Sequence, residues 1–247
     1  MHISTCLHKG DFHPVFCEDF LFHTELSSEL YLAAVMDGCS MGKDSQFASH
    51  LFAKILHKVS KELSYREFAG DIPPFSEQEL RDLGKEILKE IWQNLKLISQ
   101  TLHLDPLELL TTLNLSLFRK NPSRVWVMLI GDGFIVAGKE IIEIDQDNRP
   151  DYLAYHLKED FDSWFSQQAG IYEFEGIQQL ILATDGVDSF EKLIPAESEA
   201  RMEAAPFFLL DPSYDALAHP FEKKLEVMKT EYGLIATDDI GLIQMQI

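Results

Sequence analysis

Leu32-Ala33-Ala34-Val35-Met36-Asp37-Gly38 is an unbroken apolar run that ends on a carboxylate and a glycine. A continuous apolar run of this length predicts a buried strand. An aspartate where such a strand leaves the core is held by a rigid element while it faces solvent. The arrangement recurs. Leu180–Ala183 is followed by Thr184-Asp185-Gly186, and Leu234–Ala236 by Thr237-Asp238-Asp239. An acidic pair, Glu18-Asp19, stands upstream between Phe16 and Phe20. Carboxylates converging from several strand ends offer oxygen ligands to hard divalent cations. Each Asp-Gly alone is also an ordinary turn sequence. The weight therefore lies on the order of the motifs along the chain.

Around these motifs the hydrophobic pattern alternates between strands and helices in blocks. Val15–Glu25 and Glu29–Met36 read as two strands joined by the polar turn His23–Ser28. Phe47, Ala48, Leu51, Phe52, Ile55, Leu56 and Val59 then fall on one helical face, with Asp44 or Ser45 as a cap. Pro73-Pro74 breaks the chain, and Ser76 with Glu79 forms a capping box. Leu80, Leu83, Ile87, Leu88, Ile91, Trp92 and Leu95 make the stripe of a second helix, antiparallel to the first. Strands are expected at Leu110–Phe118, Arg124–Ile130, Phe134–Ala137 and Glu140–Ile144. Gly131-Asp132-Gly133 reads as a tight, purely structural hairpin between two of them. A helix is expected over Pro150–Phe165, a strand at Leu180–Thr184, loops over Glu191–Asp211 and a helix at Pro220–Thr230. Leu234–Ala236 and Ile240–Ile247 close the chain as strands. Blocks of this kind argue for antiparallel sheets covered by helices, not a doubly wound parallel sheet.

Composition narrows the function classes. The 247 residues suit two small domains or one larger one. With 21 Lys and Arg against 41 Asp and Glu, the formal net charge is -20. Such a surface repels nucleic acid and anionic membranes, and it favours cations. The three cysteines, Cys6, Cys17 and Cys39, form no C-x-x-C and suit a reducing compartment. No apolar stretch reaches the length of a membrane span, and the N-terminus lacks a secretory pattern. A cytoplasmic protein is expected. There is no G-x-S-x-G, H-E-x-x-H, P-loop or dinucleotide fingerprint.

In order, the chain carries Glu18-Asp19, Asp37-Gly38 before a long helix, Thr111-Thr112 opening a strand, and Gly131-Asp132-Gly133. Asp185-Gly186, with Asp188 behind it, and Asp238-Asp239 before the last strand complete the series. This order resembles the metal-dependent serine/threonine protein phosphatases of type 2C (PPM-type), as a divergent, bacterial-like member. The resemblance implies a single α+β domain over 1–247. Its fold is a four-layer α/β/β/α sandwich of two mainly antiparallel sheets flanked by helices, with a metal site at one edge. It implies that Asp37 bridges two divalent ions, Mg²⁺ or Mn²⁺, and that the Gly38 carbonyl binds one of them. Asp185 and Asp238 complete the second site, while Glu18 and Asp19 hold metal-bound waters. Asp188 matches a second acidic residue after the family's Asp-Gly, and Thr111 and Thr112 match a supporting Thr-Thr pair. The implied reaction is hydrolysis of phosphoserine or phosphothreonine in a protein substrate, by attack of a metal-bridging water. Asp37, Asp185 and Asp238 would be the catalytic set. Ions about 3.5–4 Å apart acidify such a water and neutralise the phosphoryl oxygens. A monomer acting in signalling, with no nucleic acid or membrane partner, is expected.

The chain departs from the family pattern at several points. Pro14 stands where the family has a phosphate-gripping Arg, and the first Arg is Arg66. Lys9, His13 or Lys43 are the candidate substitutes. The glycine loop reads Asp37-Gly38-Cys39-Ser40-Met41-Gly42, with Cys39 where some members carry a His. Leu107 or Glu108 falls where a third-metal Asp is expected ahead of the Thr-Thr strand, and Gly241 replaces a Ser or Thr. These departures define an alternative function. It is a catalytically weak or inactive pseudophosphatase that binds phosphoproteins or partners on the same fold.

Overall fold

The computed structural model describes residues 1–42, 44–147, 149–193 and 203–247. Two five-stranded sheets stack face to face. The first has β2 (Phe20–Ser27), β3 (Leu30–Met36), β4 (Leu113–Arg119), β5 (Arg124–Ile130) and β8 (Ile171–Glu175), in that order. The second runs β1 (His2–His8), β12 (Ile240–Gln246), β9 (Gln179–Ala183), β6 (Gly133–Ala137) and β7 (Glu140–Ile144). A short ribbon pairs β10 (Phe190–Lys192) with β11 (Leu234–Ala236). Every ladder is antiparallel.

Helices cover both outer faces, as the four-layer arrangement requires. α1 (Phe47–Ala69), α2 (Leu80–Leu102) and α3 (Phe161–Ser166) pack on the first sheet. α4 (Ala204–Leu210) and α5 (Pro220–Tyr232) pack on the second. β3 shows why its run is continuously apolar. Leu32, Ala34 and Met36 face the helices, while Tyr31, Ala33 and Val35 meet Leu180, Leu182 and Ile243 of the other sheet. Period-2 geometry sends alternate side chains to opposite faces, and here both faces are dry. α1 buries Phe52, Leu56, Val59 and Leu63. It ends at Gly70, whose φ of 77° gives a left-handed cap. Arg66, late in α1, meets Glu86, early in α2, at 2.8 Å, the contact expected of antiparallel neighbours. Among the described residues no helix is long and apolar enough to cross a membrane.

Several local expectations are corrected. β2 starts at Phe20, so the turn to β3 is only Ser28-Glu29, and residues 15–19 are not strand. Ser76 lies in a 3₁₀ turn and α2 starts at Leu80 without a side-chain cap, so no capping box forms there. The capping box belongs instead to Asp105 and Glu108, on the 3₁₀ turn Pro106–Leu109. α1 is capped by neither Asp44 nor Ser45 and begins after Gln46. Pro150–Phe165 is not one helix. Tyr152 is extended, a 3₁₀ turn spans Leu153–His156, and Asp160 accepts from Ser163 N to start α3 afresh. Strands β1 and β8 were not expected. Within Glu191–Asp211 the described part holds the end of β10 and all of α4; 194–202 lie outside the described residues.

Gly131-Asp132-Gly133 is the most consequential correction. It is no hairpin, because β5 pairs with β4 and β8, whereas β6 pairs with β7 and β9. The segment carries the chain from one sheet to the other. Positive φ at Gly131 (88°) and Gly133 (145°) serves that crossing.

Candidate active site

Antiparallel pairing brings the carboxylate motifs to one edge. β3 ends beside the start of β2 and of β4, and β9 ends beside the start of β12 and of β6. Residues that leave or precede those ends therefore converge where the two sheets share an edge. Glu18, Asp37, Gly38, Asp185 and Asp238 line one cleft of about 500 Å³. Asp188 is exposed and does not line it.

Each carboxylate is set by its own backbone. Thr112 Oγ1 accepts from Asp37 N at 3.0 Å. The Asp37 carbonyl accepts from Thr111 Oγ1 at 2.7 Å and from Thr112 N at 2.9 Å. The Thr-Thr pair thus clamps the exit of β3. Gly38 sits so close to the Ser45 and Glu18 carbonyls that a side chain there would collide with both. Glu18 Oε2 accepts from Ser40 Oγ at 2.7 Å, and Ser49 of α1 donates to the Glu18 carbonyl at 2.6 Å.

Asp19 and Asp239 are buried behind the cleft and do not line it. Asp19 accepts from Thr184 Oγ1 at 2.7 Å, and that hydroxyl accepts from Gly241 N at 2.9 Å. A side chain on Gly241 would begin 3.1 Å from Val35 and 3.2 Å from the Asp19 carboxyl, which accounts for the glycine. Asp239 accepts from Gly10 N at 2.7 Å and from Glu18 N. It therefore fastens the loop that delivers Glu18 to the start of β12. His13 lies between two acids, 2.9 Å from Asp239 and 3.1 Å from Asp238. These are ion-pair approaches and not aligned hydrogen bonds.

The electrostatics are those of uncompensated negative charge. Burial, then the charges of Asp19 and Asp185, holds the Asp37 carboxyl well above the usual carboxylate range. Burial and the Asp238 charge raise Asp185. Burial raises Asp238, against the opposing Asp239 N–H and His13. Burial and Asp185 push Asp132 up to about 6. The donors are carboxylate and carbonyl oxygens, which suit Mg²⁺ or Mn²⁺ better than zinc. Among the described residues no three acidic, histidine or cysteine side chains stand at metal-ligand spacing. The fit to divalent cations is therefore one of donor type and charge.

Comparison with known proteins decides the family. The family described as Protein phosphatase 2C matches residues 12–225. The chain belongs to the protein phosphatase 2C family. No curated protein matches it in sequence. Solved structures share the fold at low identity. The phosphatase domain of SpoIIE from Bacillus subtilis, solved with a fragment of its regulatory domain, is 18% identical with a TM-score of 0.57. That match covers 100% of this chain and 64% of the SpoIIE chain. Stp1, a serine/threonine phosphatase from Staphylococcus aureus, is 10% identical with a TM-score of 0.59, over 99% of this chain and 94% of its own. RsbX, solved in complex with magnesium, is 12% identical with a TM-score of 0.53, over 99% and 95%.

Within this phosphatase 2C fold, two charged cleft residues escaped the sequence reading. Asp132 lines the cleft with Asp37, Asp185 and Asp238, although its Gly-Asp-Gly setting read as a turn. The signal that would have found it is the sheet-to-sheet crossing, which pattern alone does not show. Arg149 lines the cleft too, far in sequence from Pro14. Of the substitutes considered, Lys9 donates to the His13 carbonyl of its own loop, His13 is engaged by the acids, and Lys43 lies outside the described residues. Leu107 and Glu108 do not line the cleft.

Proposed function

We propose that this protein is a metal-dependent phosphatase that hydrolyses phosphoserine and phosphothreonine in protein substrates. The observation that carries the reading is the convergence of Glu18, Asp37, Asp132, Asp185 and Asp238 from separate strand ends on one open cleft. Asp37, Asp185 and Asp238, with the Gly38 carbonyl, would hold two divalent cations, and Glu18 would orient water beside them. Bound there, the cations supply Lewis acidity and lower the pKa of water. Arg149, in the lining of the same cleft, supplies the guanidinium that grips the phosphoryl oxygens, the role the missing residue at Pro14 leaves open. Thr111, Thr112 and Asp239 fix the carboxylates so that little reorganisation accompanies charge transfer to the leaving oxygen. That oxygen takes its proton from water in the open cleft. We read residues 1–247 as one phosphatase domain.

The test is phosphate release from p-nitrophenyl phosphate and a phosphothreonine peptide with Mn²⁺, Mg²⁺ or EDTA. Turnover is expected with either metal and not in EDTA. Asp185→Asn should lower it on the order of 10²-fold or more while the fold persists. Full activity in EDTA would falsify the reading. The missing Arg at Pro14 and the altered glycine loop Asp37-Gly38-Cys39-Ser40-Met41-Gly42 motivate the pseudophosphatase alternative. Tight phosphopeptide binding without phosphate release, for protein whose metal uptake calorimetry confirms, would select it.

A further inference from the structure

A second cavity, of about 330 Å³, lies beside the cleft, between the C-terminal part of α2 and the 3₁₀ turn Leu153–His156. Tyr155, half-exposed, lines both. The floor is apolar, from Leu109, Ala154 and Leu157, and Lys96 and Lys158 also line the cavity. Among the described residues no carboxylate lines it, in a chain whose acids outnumber its bases 41 to 21.

The other cations of α2 are paired locally, Arg81 with Glu173 among them. Lys85 and Lys89 of α2 reach Asp162 at 2.6 and 3.3 Å. The nearby acids Asp151 and Glu159 are both engaged by His156, at 2.9 and 2.8 Å. Among the described residues Lys96 and Lys158 have no ion-pair partner. Two uncommitted ammonium groups around an apolar floor complement a carboxylate borne on a short aliphatic stem. Aspartate and glutamate side chains have that shape.

We propose that this cavity is a substrate subsite for an acidic residue flanking the phosphorylated side chain, with Tyr155 as the wall between the two positions. The assignment deepens the phosphatase reading and rests on it. Lys96 and Lys158 raise affinity for a peptide with such an acidic residue and touch no reacting atom.

The experiment compares wild type with the double variant Lys96→Glu/Lys158→Glu. Substrates are p-nitrophenyl phosphate and two phosphothreonine peptides that carry Glu or Lys at the flanking positions. Wild type should prefer the Glu peptide, through KM, and the double variant should lose about tenfold in kcat/KM for it. Hydrolysis of p-nitrophenyl phosphate should not change. Anisotropy of the labelled Glu peptide, read beside turnover, should show the same loss of affinity and does not depend on catalysis. If nothing is hydrolysed but the charge-dependent binding persists, the subsite stands and the phosphatase reading falls. Equal binding of both peptides by wild type, preference for the Lys peptide, or an equal loss on p-nitrophenyl phosphate overturns the subsite.

Discussion

Asp132 shows what a single carboxyl does in this setting. Held at about 6 instead of near 4, it binds more protons folded than unfolded between those values. Its contribution to stability is thus present at low pH and is lost as pH rises through about 4 to 6. At neutral pH its charge costs the folded state on the order of 1–3 kcal/mol, and the raised Asp37 and Asp185 act in the same direction. In EDTA at pH 7.5, Asp132→Asn should raise Tm by about 2–5 °C and flatten the pH dependence of melting. An unchanged or lower Tm would show that the charge is already compensated. Arg149 makes the opposite prediction, on function. Arg149→Ala should raise KM for p-nitrophenyl phosphate roughly tenfold or more with the fold intact, and Arg149→Lys should recover part of it. Equal KM values in all three proteins would remove Arg149 from the phosphate site. Neither residue was legible as functional in the sequence. Asp132 wears a turn signature, and Arg149 sits in a segment whose helix pattern is broken by Tyr152 and Asp160.

At the scale of elements, the long apolar stripes of α1 and α2 were readable because burial repeats at helical spacing from Ala48 to Leu63 in one and from Leu80 to Leu95 in the other. Their starts were not, because a Ser or Glu at cap spacing forms a box only if the backbone turns there. Gly84 illustrates packing against propensity. It lies inside α2, where alanine would gain about 1 kcal/mol of helix propensity. A Cβ there, however, would fall 2.5 Å from the ring of Trp126 on β5. Overpacking of that kind costs about 1–3 kcal/mol. Gly84→Ala should therefore lower the urea midpoint, and a rise would mean that the Trp126 ring moves aside freely. Strands β1 and β8 went unseen because each acquires meaning only from its partner, β12 and β5.

At the scale of the whole molecule, the net charge of -20 and the clustered acids at one sheet edge put self-repulsion into the folded state. Divalent cations held there by the folded form alone would offset it, by about 2.7 kcal/mol at one hundred times Kd. Mn²⁺ or Mg²⁺ should raise Tm by several degrees in wild type, and Asp37→Asn should remove that increment while leaving the response to NaCl in place. A metal response that survives in Asp37→Asn would place the bound cation elsewhere. The sequence by itself determined the buried strands, the two long helices and the order of their terminal carboxylates, because each is a local property of hydrophobic period. Only the tertiary structure decided which strands pair. Pairing is a contact between distant segments, and it alone carries Gly131-Asp132-Gly133 across the sheets and sets Asp132 and Arg149 around the same cleft as Asp37.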